Sequence, residues 1–267
     1  MPLNKSKEKL ILFVGFLLIA AVALVTFLRP SFRGNKTKDF STDSQQVKEY
    51  PRISAKELAE KLKNKENIFI LDVRTIDEYQ MEHIVDSISA PFEELNKKEI
   101  GAAVDAAIAV LGSGSDQSDQ AAKILEIKGF QKIMVLSGGI TAWKNNNGQT
   151  VSWGDPTSFV NQSKVTFISP EDAKKILDEK RPVYFLDVRP PDQFSSHISG
   201  AVNIPLNELE KRRNELPLGK EIIAYGATEL EGFQAGVKLY DLNTLSALVL
   251  RGGFSGWKDK GYPTVSE

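Results

Sequence analysis

Apolar residues fall into short runs separated by amphipathic stretches. The runs at 68–72 (IFILD), 107–111 (AIAVL) and 132–136 (KIMVL) are rich in β-branched residues and read as buried strands. So do 183–187 (VYFLD), 221–225 (EIIAY) and 246–250 (SALVL). Helical stretches lie between them, for example 119–128 (DQAAKILEIK) and 233–241 (FQAGVKLYD). Ser54 with Glu57 three residues on is a capping box that opens a helix, and Ser169-Pro170 places a cap and a proline at another helix start. Strand–helix alternation predicts an α/β fold with parallel sheets covered by helices on both faces.

The chain also repeats itself. ILDVR at 70–74 returns as FLDVR at 185–189. His83-Ile84 returns as His197-Ile198, Pro91 as Pro205, Gly138-Gly139 as Gly252-Gly253, and Trp143 as Trp257. The offset slips by one residue, between Tyr79/Phe194 and the histidines. A repeat this long is a duplicated globular domain. The expected division is domain 1 over 50–148, a polar join over 149–163 and domain 2 over 164–267.

The N-terminus has another pattern. Residues 10–28 contain no charge, and a helix of that length spans ~28 Å, close to a bilayer's hydrocarbon thickness. Lys9 and Arg29 bracket the run, and no small-x-small cleavage site ends it. One transmembrane signal anchor is therefore expected at 10–28, after a short basic tail at 1–9 and before a polar linker at 29–49. A basic tail ahead of the first span puts the domains on the extracytoplasmic side of the cell membrane as the expected orientation.

Composition narrows the chemistry. The net charge is −1, and Lys5, Lys7, Lys9, Arg29, Arg33, Lys36 and Lys38 all precede the repeats, so the body is mildly acidic. Nucleic acid is not an expected partner. There is no cysteine, which removes disulfides, thiolate metal sites and thiol nucleophiles, and with two histidines no metal or other cofactor is expected.

The linked motifs LDVR-x-x-D-E-Y…H-I at 71–84, LDVR-x-x-D-Q-F…H-I-S-G-A-V-N-I-P at 186–205 and the closing GG-x-x-x-W resemble the rhodanese (sulfurtransferase) family. The resemblance covers nearly everything after residue 50. Copy one departs from the family pattern with Glu82, Val85 and Asp86, where the family has glycine, proline and glycine. The resemblance implies two three-layer domains. It also places the family's chemistry in the loop after a central strand, where backbone N–H groups at a helix N-terminus wrap a cysteine persulfide. Counting back from the helix puts Gly112 and Gly226 at the two cysteine positions and Gln117 at the family's basic position. Neither copy then has a nucleophile.

Ser113, Gly114, Ser115 and Ser118 make the first loop a candidate small-anion site, which Asp116 and Asp119 oppose. Glu229 and Glu231 occupy the second helix's N-terminus and repel an anion. Asp72 with Arg74 and Asp187 with Arg189 are expected to be structural ion pairs, and His83 and His197 to bond the turns that carry them. The expected function is a membrane-anchored, catalytically inactive binding, scaffold or regulatory module with an unidentified protein partner. The alternatives are a sensor of sulfate, thiosulfate or phosphate at 112–118, or a sulfurtransferase-family enzyme of unrecognised chemistry.

Overall fold

In a computed structural model, the structure describes residues 48–244 and 247–266. The expected anchor at 10–28 lies outside the described residues. Among those described, no helix is long and apolar enough to cross a membrane.

Copy one runs β1 (Arg52–Ile53), α1 (Ala55–Lys63), β2 (Ile68–Asp72), α2 (Ile76–Met81), β3 (His83–Ile84), β4 (Ile88–Ser89), β5 (Ala107–Leu111), α3 (Ser115–Ile127), β6 (Lys132–Leu136), α4 (Gly139–Asn145) and β7 (Thr150–Val151). A five-stranded parallel sheet has the order β1-β6-β5-β2-β4, and β3 pairs antiparallel with β7. Alternate strand residues feed opposite faces, as the strand period requires. Ile108 and Val110 pack with Ala121, Ala122 and Leu125 of α3, whereas Ala109 and Leu111 pack with Leu58 of α1 and Trp143 of α4. Ser54 caps α1 through the predicted reciprocal bond with Glu57, and Thr75 with Glu78 caps α2 in the same way.

After α5 (Phe159–Ser163), copy two repeats the plan: β8 (Thr166–Ile168), α6 (Pro170–Asp178), β9 (Val183–Asp187), β10 (Ser196–His197), β11 (Val202–Asn203), β12 (Glu221–Tyr225), α7 (Glu229–Asp241), β13 (Ala247–Leu250), α8 (Gly253–Asp259) and β14 (Val265–Ser266). Its parallel sheet has the order β11-β9-β12-β13-β8, the counterpart of the first strand for strand. The expected α/β fold with two three-layer domains is present. The segment 149–163, expected as a polar join, carries structure: β7 belongs to the first copy's antiparallel ladder, and α5 follows a cap at Ser158.

The two copies form one compact unit, and polar contacts join them. Asp241 of α7 accepts from the N–H and hydroxyl of Ser152, both at 3.0 Å, and pairs with Lys164 at 2.7 Å. At Gly154, with φ at +81°, a Cβ would come within 3.2 Å of the Gln234 backbone, so the connector needs glycine to lie against α7. Elsewhere, Glu210 of copy two lies 3.2 Å from Nε2 of the buried His83 and accepts the N–H of Asp86 at 2.6 Å. Arg213 grips both carboxylate oxygens of Asp86. Two of the residues by which copy one departs from the family pattern thus have defined partners: Asp86 bonds copy two, and Glu82 takes Lys144 and Thr150 within copy one.

Burial alone would push the Glu210 carboxyl up. Its hydrogen bonds with His83 and the Asp86 N–H, with the electrostatics of His83 and Lys238, outweigh burial and hold it below the ordinary glutamate range. A carboxyl depressed by folding stabilises the fold above its unfolded pKa of about 4.3, and this contribution fades as pH falls through the lower folded value. Glu210→Ala is expected to cost about 3 kcal/mol in urea unfolding at neutral pH, because the buried His83 and the Asp86 N–H lose their acceptor. The gap to the unsubstituted chain should narrow as pH drops below about 4. A pH-independent gap would contradict the assignment.

Candidate functional site

The end of each central strand is fixed by a buried carboxylate–guanidinium pair. Asp72 is wholly buried and accepts from Nε and Nη2 of Arg74 and from the Arg74 N–H, while Nη2 also donates to the Glu82 carbonyl at 2.7 Å. Asp187 and Arg189 repeat this, with the Ser196 carbonyl as the outer acceptor. Each pair ties a strand end to the turn before the His-Ile ladder. Both Asp carboxylates are sealed from solvent, and each Arg spends its donors on the Asp and on the turn's carbonyl. His83 stacks on Tyr79 at 3.8 Å with Nδ1 2.7 Å from its carbonyl oxygen; His197 stacks on Phe194 at 4.1 Å with Nδ1 3.0 Å from that carbonyl. Both histidines therefore sit in their turns, and His83 additionally meets Glu210.

The loops after β5 and β12 are short. Helix α3 starts at Ser115, earlier than the expected residue 119, and α7 starts at Glu229, so that Glu229 and Glu231 occupy its first turn as expected. Three residues remain in each loop: Gly112-Ser113-Gly114 and Gly226-Ala227-Thr228. In copy two, the Gly252-Gly253 turn presses against this loop. Both glycines have left-handed φ, and a Cβ on Gly253 would fall 2.6 Å from the Thr228 carbonyl oxygen. The N–H groups of Phe254 and Ser255 donate to the carbonyls of Gly226 and Ala227.

Glu231 fills the second loop from within. Its Oε2 accepts the Ala227 N–H at 2.5 Å and the Thr228 N–H at 3.4 Å, and a Cβ on Gly226 would meet its Cβ at 2.3 Å. Glu229 accepts the Gly252 N–H at 2.8 Å. Outside the loop, Glu231, Trp153 from the connector, Pro191 and Pro205 line a cavity of about 300 Å³. Burial raises the pKa of the Tyr225 hydroxyl, which accepts the Ile198 N–H at 3.3 Å.

The first loop has the same plan with weaker charges. Gln117, the counterpart of Glu231 at an offset of 114, accepts the Ser113 N–H at 2.8 Å, and a Cβ on Gly112 would lie 2.9 Å from its Oε1. The serines are engaged: Ser113 donates to Glu78, Ser118 to the Gly114 carbonyl, and Ser115 to Asp116 at 3.4 Å. Gly112, Gly114, Arg52, Arg74 and Glu78 line a cavity of about 550 Å³. Its cations are matched, Arg52 by Asp119 and Arg74 by Asp72. Partial burial works against ionisation of Glu78. The Thr75 hydroxyl and N–H, the Ser113 hydroxyl and the Arg74 charge outweigh it and hold the carboxyl below the ordinary range. An anion entering this loop would face that carboxylate.

The rhodanese-like domain model matches residues 54–146 and again 169–260, which together make up more than half of the chain. The chain belongs to the rhodanese-like family. An uncharacterized Bacillus subtilis protein, YqhL, is 35% identical over 81 residues, 30% of this chain and 64% of that protein, so the chain spans less than two thirds of that relative's length. A sulfurtransferase of Allochromatium vinosum is 26% identical over 103 residues, 38% of this chain and 96% of that one. Among solved structures, a thiosulfate sulfurtransferase of Pseudomonas aeruginosa aligns with 81% of this chain and 43% of its own, at 23% identity and a TM-score of 0.45. Without any cysteine, this tandem rhodanese-like protein has no thiol on which a cysteine-dependent sulfur transfer could run.

The pattern of the sequence located both loops but missed Gln117 and Glu231 as their fillers. The signal was available, since the two residues occupy one position of the repeat and both carry an acceptor oxygen. Glu210 left no such trace, because its role depends on how the copies meet. A cysteine placed at Gly226 should be a poor nucleophile, because the adjacent Glu231 carboxylate raises a thiol's pKa. Iodoacetamide alkylation of Gly226→Cys at neutral pH is expected to accelerate about tenfold when Glu231→Gly, which removes the crowding Cβ together with the carboxylate, is added. Equal rates would show that Glu231 does not control the loop.

Proposed function

We propose that this chain is a catalytically inert tandem rhodanese-like scaffold, tethered to the cell membrane by residues 10–28 with its domains on the extracytoplasmic side, that works by binding a protein partner. One observation carries the reading: both loops hold glycine at the thiol position and a chain-derived oxygen, from Gln117 or Glu231, on their amides. A fold kept while its reaction loop is filled retains surfaces and loses turnover. Anion sensing at Ser113, Gly114, Ser115 and Ser118 is the weaker reading, because those hydroxyls already have acceptors and Glu78 guards the entrance. The tether rests on the uncharged run between Lys9 and Arg29.

The full chain, given thiosulfate and cyanide, is expected to release thiocyanate no faster than a protein-free blank. After an alkaline carbonate wash it should stay with the membrane pellet. Turnover above the blank overturns the inert scaffold, and release into the supernatant overturns the tether.

A further inference from the structure

Three elements turn large apolar side chains toward one cleft between the copies. Met81 at the end of α2 is 68% exposed, Val160 of α5 66% and Leu230 of α7 48%. All three line a cavity of about 950 Å³, together with Trp153 and Gly154 of the connector. Apolar side chains that meet in a groove rimmed by polar groups mark an interaction surface more often than scattered ones do.

The charges lining the groove are lopsided. Each of its cations is matched by an acid: Arg74 by Asp72, Lys144 by Glu82 and Lys164 by Asp241. Among the described residues no ion pair reaches its Asp77, Glu78 or Asp155, which leaves three carboxylates in the lining. Asp155 is held below the ordinary range by the Thr157 hydroxyl and N–H, as Glu78 is by the groups around it. The groove is therefore apolar and negative together, which repels nucleic acid and anionic lipid headgroups and attracts lysine and arginine.

We propose that the groove between the two copies docks an extended segment of a partner protein in which basic and apolar side chains alternate. The basic side chains would meet Asp77, Glu78 and Asp155, and the apolar ones would cover Met81, Val160 and Leu230. An extended chain suits the site because its successive side chains point to opposite sides, so that one set can cover the exposed apolar side chains while the other reaches the carboxylates that line the same groove. This assignment rests on the scaffold reading and gives its partner a chemistry.

The test is fluorescence anisotropy of the full chain with a labelled peptide of alternating lysine and leucine, compared with one of alternating glutamate and leucine. The lysine peptide should bind, and added salt should weaken it. Val160→Lys with Leu230→Lys should weaken binding by about tenfold or more, whereas Leu218→Lys, outside the groove, should leave it unchanged. Asp77→Asn with Asp155→Asn gives the same loss from two surface positions, should the lysine pair disturb folding. Equal binding to the groove variants, equal binding of the glutamate peptide, or no binding overturns the assignment. Sulfur-transfer turnover by the unsubstituted chain would instead overturn the scaffold reading beneath it.

Discussion

Backbone N–H groups that converge where a helix begins must be given acceptors, and the two loops of this protein are organised around that requirement. In a sulfur-transferring loop the acceptor would be a thiolate or persulfide. Here the chain supplies it: the Gln117 amide oxygen takes the Ser113 N–H, and the Glu231 carboxylate takes those of Ala227 and Thr228. Glycine at 112 and 226 follows from this arrangement as much as it permits it, because a Cβ at either position would lie within 3 Å of the filling side chain. The loop geometry and the missing thiol are one feature, since either change alone would leave unsatisfied amides or a steric clash.

The scaffold holding these loops is built alike in both copies. Each Asp–Arg pair closes a strand end, each histidine stacks on the preceding aromatic ring, and in copy two the Gly-Gly turn packs directly on the loop. The copies differ where they touch. Glu82 of copy one pairs with Lys144 of the same copy, and Asp86 joins the β3 turn to Arg213 of copy two. The β3 turn of copy one thus meets Glu210 and Arg213 of copy two, and a cleft elsewhere between the copies gathers the exposed Met81, Val160 and Leu230.

Much of this was legible in the sequence. The strands at 68–72, 107–111, 132–136, 183–187 and 221–225 sit where their apolar runs place them, and the caps at Ser54 and Ser169 are made as the spacing predicts. These features are local, and periodicity reports them. The early start of α3 was not legible, because Ser115–Ser118 is a polar first turn that carries no apolar period, whereas Glu229 and Glu231 marked the start of α7. Segment 149–163 read as a join for a related reason: its order comes from pairing with β3 and packing on α7, contacts made far away in the chain. Glu210 and Trp153 escaped notice because their surroundings exist only once the copies have docked.

The claim at the centre of this account is that the chain's own oxygens already occupy both anion cradles. Thermal denaturation in a thiosulfate titration tests it directly, because a ligand that binds only the folded state raises Tm by an amount that grows with the logarithm of its concentration above Kd. The account predicts no shift for the unsubstituted chain up to about 10 mM thiosulfate, and a rise once Gln117→Ala and Glu231→Ala empty the cradles. A rise in the unsubstituted chain, or none in the emptied one, would contradict it.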